Sequence, residues 1–314
     1  MILLEKKIIK LVEERGYMGT KYISVIKEII DYVQTYIDNN VKNVVNGWQV
    51  HIPDFLTKKI DCVDTLMIIV NVIDSNDAYR YSGSGSNAVF LNNNIINGKL
   101  GVGKITINGY SLGRYLYDRT IFNSLSHELN HLLAYYKKLL KNQKSQTLFQ
   151  RAVTENDIFN KTFSNDKDIN SYIRDIFYRL LFKSELNALI NSVYGDLYGM
   201  NSKRNHFNLD IKSVQAYVVY NSIKENLDLL DVLSDDEWNN IIMCFNLNSS
   251  YKTKNRVDIN SFKKAFKNIV IEKLNELMKG IGKVASFYYD SQDDVKPKNN
   301  EITHVDKNTI LKKK

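Results

Sequence analysis

One helix constrains this chain more than any other stretch. Between residues 119 and 141, apolar side chains recur at three- and four-residue steps: Ile121, Leu125, Leu129, Leu132, Leu133, Tyr136 and Leu140. No Gly or Pro interrupts the run, and Lys137, Lys138 and Lys141 close it where the helix dipole favours cations. Inside this apolar frame lies His127-Glu128-Leu129-Asn130-His131. Residues four apart sit on one helix face, one turn apart. Two imidazoles so placed can reach a single tetrahedral metal ion. Glu128, beside them, is positioned to polarise a water rather than to ligate. The chain has only five His, at 51, 127, 131, 206 and 304, so this pairing seldom arises by chance.

The rest of the composition narrows the class. At 314 residues, 44% hydrophobic and 25% charged, the chain can bury a sizeable core. Cys62 and Cys244 are the only cysteines and form no C-x-x-C pair, which points to a reducing compartment. The start is broken by charge and lacks a signal-peptide apolar core. The longest apolar run, Leu66–Val70, is far too short to cross a bilayer. A soluble cytoplasmic protein without a membrane partner is therefore expected. The net charge of +8 is spread along the chain and densest at Lys312-Lys313-Lys314. No nucleic-acid module or aromatic-basic stripe accompanies it, so nucleic acid is not an expected partner.

Read in order, the chain opens with helical periodicity over 2–14 and again over about 20–40, with Asn39-Asn40 as the second stop. From 44 to 112 the pattern is β-rich. It comprises a short strand within 44–52, a β-branched run over 61–73 that suits a strand buried on both faces, a segment at 88–91, and an alternating strand at 104–108. Gly98-Lys-Leu-Gly-Val-Gly103-Lys104 imitates a phosphate loop, but Ile105 stands where a magnesium-binding hydroxyl is needed and a strand follows. Gly83-Ser-Gly85 reads as a turn. Helices are expected near 148–160, 168–194, 211–231, 234–246 and 259–289, with Ser234-Asp-Asp-Glu237 as a capping box. The fold class is α+β: a small mixed sheet packed on the motif helix, followed by a mainly helical half. The expected divisions are an α/β subdomain over 1–145, a helical subdomain over 146–290 and a disordered tail over 291–314.

A catalytic zinc takes three protein ligands and keeps one position open. The H-x-x-G-x-x-H continuation that would supply a third histidine is absent after His131. Glu155 and Glu185 are the credible third ligands. Glu185 is preferred because it interrupts an apolar helix, with Leu181, Phe182, Ala188 and Leu189 as neighbours, and a carboxylate there needs a partner to offset desolvation. Small Ala188 would let two helices approach closely.

Strand, H-E-x-x-H helix and a later Glu-x-x-Ala helix together resemble the zincin fold of zinc metallopeptidases, in its gluzincin-like branch. The resemblance covers about residues 60–200 and implies Zn2+ held by His127, His131 and Glu185. It further implies Glu128 as general base and a peptide or protein substrate cut by an endopeptidase. The strand at 104–108 would pair with the substrate, and Tyr194, Tyr198 or His206 would face the oxyanion. An acid usually follows the third ligand by one turn in that group. Here the position is Leu189, with Asn187 and Asp196 as possible substitutes. The A/T-rich, phage-like composition and the long unassigned helical half leave a second expectation, a non-catalytic virion or other assembly component on the same scaffold.

Overall fold

The computed structural model describes residues 23–40, 48–60, 63–74, 87–90, 95–96, 99–112, 115–116, 118–140, 167–181, 183–201, 210–248 and 258–293. The helices expected at 2–14 and 148–160, Glu155, His206, the expected boundary at 145 and nearly all of the tail beyond 291 lie outside them.

Alternating side chains dictate the sheet. Strand β1 (Trp48–Ile52) runs antiparallel to β2 (Val63–Asp74), and β2 runs parallel to β5 (Lys99–Leu112). Strand β3 (Asn87–Phe90) lies antiparallel on the far side of β5, where the two-residue pieces β4 (Ile95–Ile96) and β6 (Tyr115–Leu116) also pair with it. The register lines up buried side chains in rows: Val50, Ile68 and Ile105 in one, Trp48, Val70 and Ile107 in the next. The intervening rows, Gln49-Ile69-Thr106 and His51-Met67-Lys104, are exposed or half-buried.

Two expectations about the sheet are corrected here. Strand β2 is buried on one face only: its apolar run satisfies the helix-facing side, while Met67 and Ile69 stay half-covered. Residues 104–106 are not a free edge, because β2 and β3 flank them on both sides, and β1 and β3 are the outer strands among the described residues. The strand continues unbroken through Lys99–Lys104, so the phosphate-loop imitation is extended backbone.

The helices begin with α1 (Ile23–Asn39), whose Ile26, Ile29, Ile30, Val33 and Ile37 form a buried stripe. Asn40 stops it, its side chain donating to the Tyr36 carbonyl. A short helix, α2 (Asp54–Ile60), interrupts the β-rich region and was not expected there. Its signs are local: Pro53 before the first turn, Asp54 within it, and Lys58 and Lys59 in the last. Helix α3 (Asp118–Leu140) carries the motif and packs on β5 and β3. The expected helix at 168–194 is divided into α4 (Lys167–Asp175), a π-helical turn over Ile176–Leu181, and α5 (Lys183–Met200).

The span expected at 211–231 is also broken, with α6 limited to Gln215–Glu225 between two 3-10 turns. Helix α7 (Asp235–Asn248) starts at the expected capping box. The Ser234 amide donates to the Glu237 carboxylate at 2.8 Å, and the Glu237 amide donates to the Ser234 hydroxyl at 3.3 Å. Helix α8 (Ile259–Asp293) is the longest. The protein is thus mixed α+β, mostly helical with a small sheet, and one hydrophobic core runs from α1 through the sheet and α3 to α5 and α8. No helix among the described residues is long and apolar enough to cross a membrane.

Candidate metal centre

Helix α5 is the central strut of the molecule. Every residue from Leu186 to Leu197 is buried. It meets α3 on one side and α8 on another. The approach to α3 is close at Gly195, where an added Cβ would lie 1.9 Å from the Phe122 carbonyl oxygen and 2.5 Å from the Ser126 Oγ. Only a glycine lets the backbones come together there. Ala188, expected to serve that purpose, is fully buried two turns before it. The helices run antiparallel, since contacts descend α3 from His131 to Phe122 as they ascend α5 from Glu185 to Gly195.

This packing brings three donor side chains together. The Nε2 atoms of His127 and His131 are 3.0 Å apart, with ring planes inclined at 73°. One Glu185 carboxylate oxygen lies 3.4 Å from His127 Nε2 and the other 3.3 Å from His131 Nε2. Ligand atoms held 2.0–2.1 Å from one tetrahedral zinc are separated by about 3.3–3.4 Å. The two imidazole nitrogens, and each imidazole with the carboxylate oxygen that faces it, lie at or just below that edge length. Two imidazole nitrogens and a carboxylate are also the donor set of a zinc site that keeps one position open. The donor types therefore fit the ion, and the three groups lie close enough together to share one.

The site is open on one side: the side chains of His127, His131 and Glu185 are 28%, 24% and 37% exposed. Glu185 sits in the first turn of α5 rather than within a long apolar helix. It is accordingly half-exposed, not fully buried as the apolar pattern suggested. Burial alone would raise its pKa, but the hydrogen bonds and positive charge of the two imidazoles outweigh it and hold the carboxyl well below the usual carboxylate range. Glu128, next to His127, is buried at 8% exposure.

The other expected helpers are elsewhere. Tyr194 lies about half a turn round α5 from Glu185 and is fully buried against Tyr198, Phe287 and Tyr288. Tyr198 packs edge-on against Phe122 and reaches towards Asp31 of α1. Neither can face an oxyanion at the donor cluster. Asp196 accepts the Gln215 amide at 2.8 Å and so caps the start of α6 from outside that helix. Asn187 lies about 200° round α5 from Glu185, turned away from the cluster, with a buried Oδ1 that has no hydrogen-bond partner. Leu189, at the position where an acid was expected, is buried.

Sequence reasoning missed a different pair. Asn130, the residue before His131, accepts a hydrogen bond of 2.6 Å from the Asn191 Nδ2 of α5. Both side chains are almost wholly buried. The available signal was polar residues within an apolar period: Asn130 inside the motif, and Asn187, Asn191, Ser192 and Asp196 in α5.

No protein-family model, no curated protein and no solved structure matches this chain.

Proposed function

We propose that this chain is a zinc-dependent metallopeptidase with zincin-like, gluzincin-type organisation, cutting within peptide chains. The observation that carries the reading is the donor triangle: two imidazoles one helical turn apart and a carboxylate from a second helix, at separations that suit one zinc shell. His127, His131 and Glu185 would hold the ion. When bound, zinc supplies Lewis acidity towards water and the scissile carbonyl.

The protein's own groups do the rest. Glu128 accepts the proton of the attacking water and delivers it to the leaving amine nitrogen. Its place beside His127, shielded from bulk solvent, keeps that proton within the site. The exposed side of the cluster leaves an approach for a peptide bond. Strand β3, the sheet edge packed beside α3, offers backbone donors and acceptors to an extended substrate.

The test joins metal content to proteolysis of an unstructured protein such as casein, with internal cleavages read by mass spectrometry. Wild type should carry one zinc per chain, and Glu185→Gln or His127→Ala should lose it. Glu128→Gln should keep the zinc while proteolysis falls by about two to four orders of magnitude, the usual worth of a general base. Undiminished proteolysis in Glu128→Gln, or a wild-type protein that takes up no zinc, would overturn the reading.

A further inference from the structure

The donors come from two helices, so their spacing depends on how α3 and α5 are set against each other. Apolar contacts alone define such a register poorly, because greasy surfaces slide at little cost. A buried, directional hydrogen bond defines it well. A side-chain hydrogen bond of this kind joins α3 to α5 with both partners buried: Asn191 Nδ2 donates to Asn130 Oδ1 at 2.6 Å. Asn130 is one residue from His131 and three from His127, so its position moves with the imidazoles. Asn191 is six residues beyond Glu185 on the same rigid helix. Where the carboxylate expected one turn after Glu185 is absent, Leu189 is buried, Asn187 turns away and Asp196 is engaged with α6.

We propose that the Asn130–Asn191 amide pair is the positioning element of the donor cluster, fixing the register of α3 on α5 so that His127, His131 and Glu185 are spaced for the ion before it arrives. The inference rests on the metal-site reading above. The pair leaves the Asn130 Nδ2 and the Asn191 Oδ1 buried without partners. A donor and an acceptor are thereby left unsatisfied next to the motif, a cost that packing alone would not select. An apolar pair would serve stability at least as well, since replacing both members of a buried hydrogen bond by apolar groups of similar shape is near neutral or stabilising.

That difference supplies the experiment. In the double variant Asn130→Leu/Asn191→Leu, thermal unfolding of the metal-free protein should match or exceed wild type. Zinc affinity, measured by chelator competition, should fall by about 10–100-fold, the range for residues that orient ligands without touching the metal. The visible absorption of the cobalt-substituted protein should broaden as the donors lose a single arrangement. Asn187→Leu, the control on the same helix, should leave affinity and spectrum unchanged.

A double variant that binds zinc as wild type does, with an unaltered cobalt spectrum, overturns the proposal. Should the double variant not fold, the wild-type protein still decides the matter. Side-chain amide protons of Asn191 that are protected from exchange in the metal-free protein support a pre-set register, and unprotected ones overturn it. A wild-type protein that binds neither zinc nor cobalt removes the metal-site reading itself, an outcome distinct from loss of the clamp alone.

Discussion

The two sides of α5 are built on different principles. Towards α3 the seam is polar and close: Asn191 meets Asn130, the Asn123 side chain donates to the Ser192 carbonyl at 3.5 Å, and Gly195 lies against the Phe122 backbone. Towards α8 the packing is apolar and aromatic. Ile190 fills the space over Gly280, and Tyr194 lies tilted against Phe287 and edge-on to Tyr288. Beyond it, Trp238 of α7 sits edge-on to Phe262 and Phe266. Apolar burial is non-directional and scales with area, so the α8 side supplies stability. Hydrogen bonds and backbone contact are directional, so the α3 side sets position. The donor cluster lies on the side that sets position.

The two sides should therefore fail differently. The largest effect is expected from Trp238→Ala, which removes a fully buried indole and should cost about 3–5 kcal/mol in denaturant unfolding. The fraction that remains folded should still bind zinc with wild-type affinity. Weakened zinc binding in that folded fraction would break the division of labour.

Next comes Gly195→Ala. Its Cβ meets a backbone carbonyl, which cannot yield without moving α3 from α5, and overpacking of this kind costs about 1–3 kcal/mol. Unlike the tryptophan variant, it should weaken zinc binding in the folded protein, because the helices bearing the donors must separate. Retained affinity would show that the seam tolerates displacement.

Alkali should act on the buried phenols of both sides. Burial raises the pKa values of Tyr172, Tyr194, Tyr198 and Tyr288 well above the ordinary tyrosine value, with Asp228 adding to the effect at Tyr172 and Asp31 at Tyr194 and Tyr198. The unfolded chain releases these protons at about pH 10, where tyrosine ordinarily ionises, while the folded chain holds them. Above that pH the unfolded state binds fewer protons, so stability falls as pH rises. Below it the contribution is fully present. A stability plateau that continued well above pH 11 in denaturant titrations would contradict the burial of these phenols.

The smallest effect belongs to Gly280→Ala. The three atoms nearest the Cβ there all belong to the Ile190 side chain, the nearest at 2.6 Å, and a side chain can shift where a carbonyl cannot. Gly to Ala in a helix interior also gains about 1 kcal/mol of propensity. The net change should lie within about 1 kcal/mol of zero, with zinc affinity unchanged. Placing the two alanines side by side measures how differently the two seams respond to the same added methyl.

Legibility in the sequence followed the range of the interaction. The period around His127 and His131 is visible because one helix repeats every 3.6 residues, and the capping box at Ser234 is visible because its bonds span three residues. Strand β2 misled because a continuous apolar run does not say whether one face or two will be covered. The oxyanion candidates Tyr194 and Tyr198 misled because nearness to Glu185 in sequence gives no bearing around the helix.

Sequence alone determined a helix with two imidazoles and a carboxylate on neighbouring bearings, a β-rich segment before it and helices after it. Those are consequences of local stereochemistry and of period. Only the tertiary structure decided that Glu185 meets both imidazoles, that Asn191 meets Asn130, that Asp196 caps α6, and that β3 covers residues 103–106 of β5. Each of these joins residues distant along the chain. The meetings between α3 and α5 depend on Gly195 allowing the two helices to lie together and on the core formed around both.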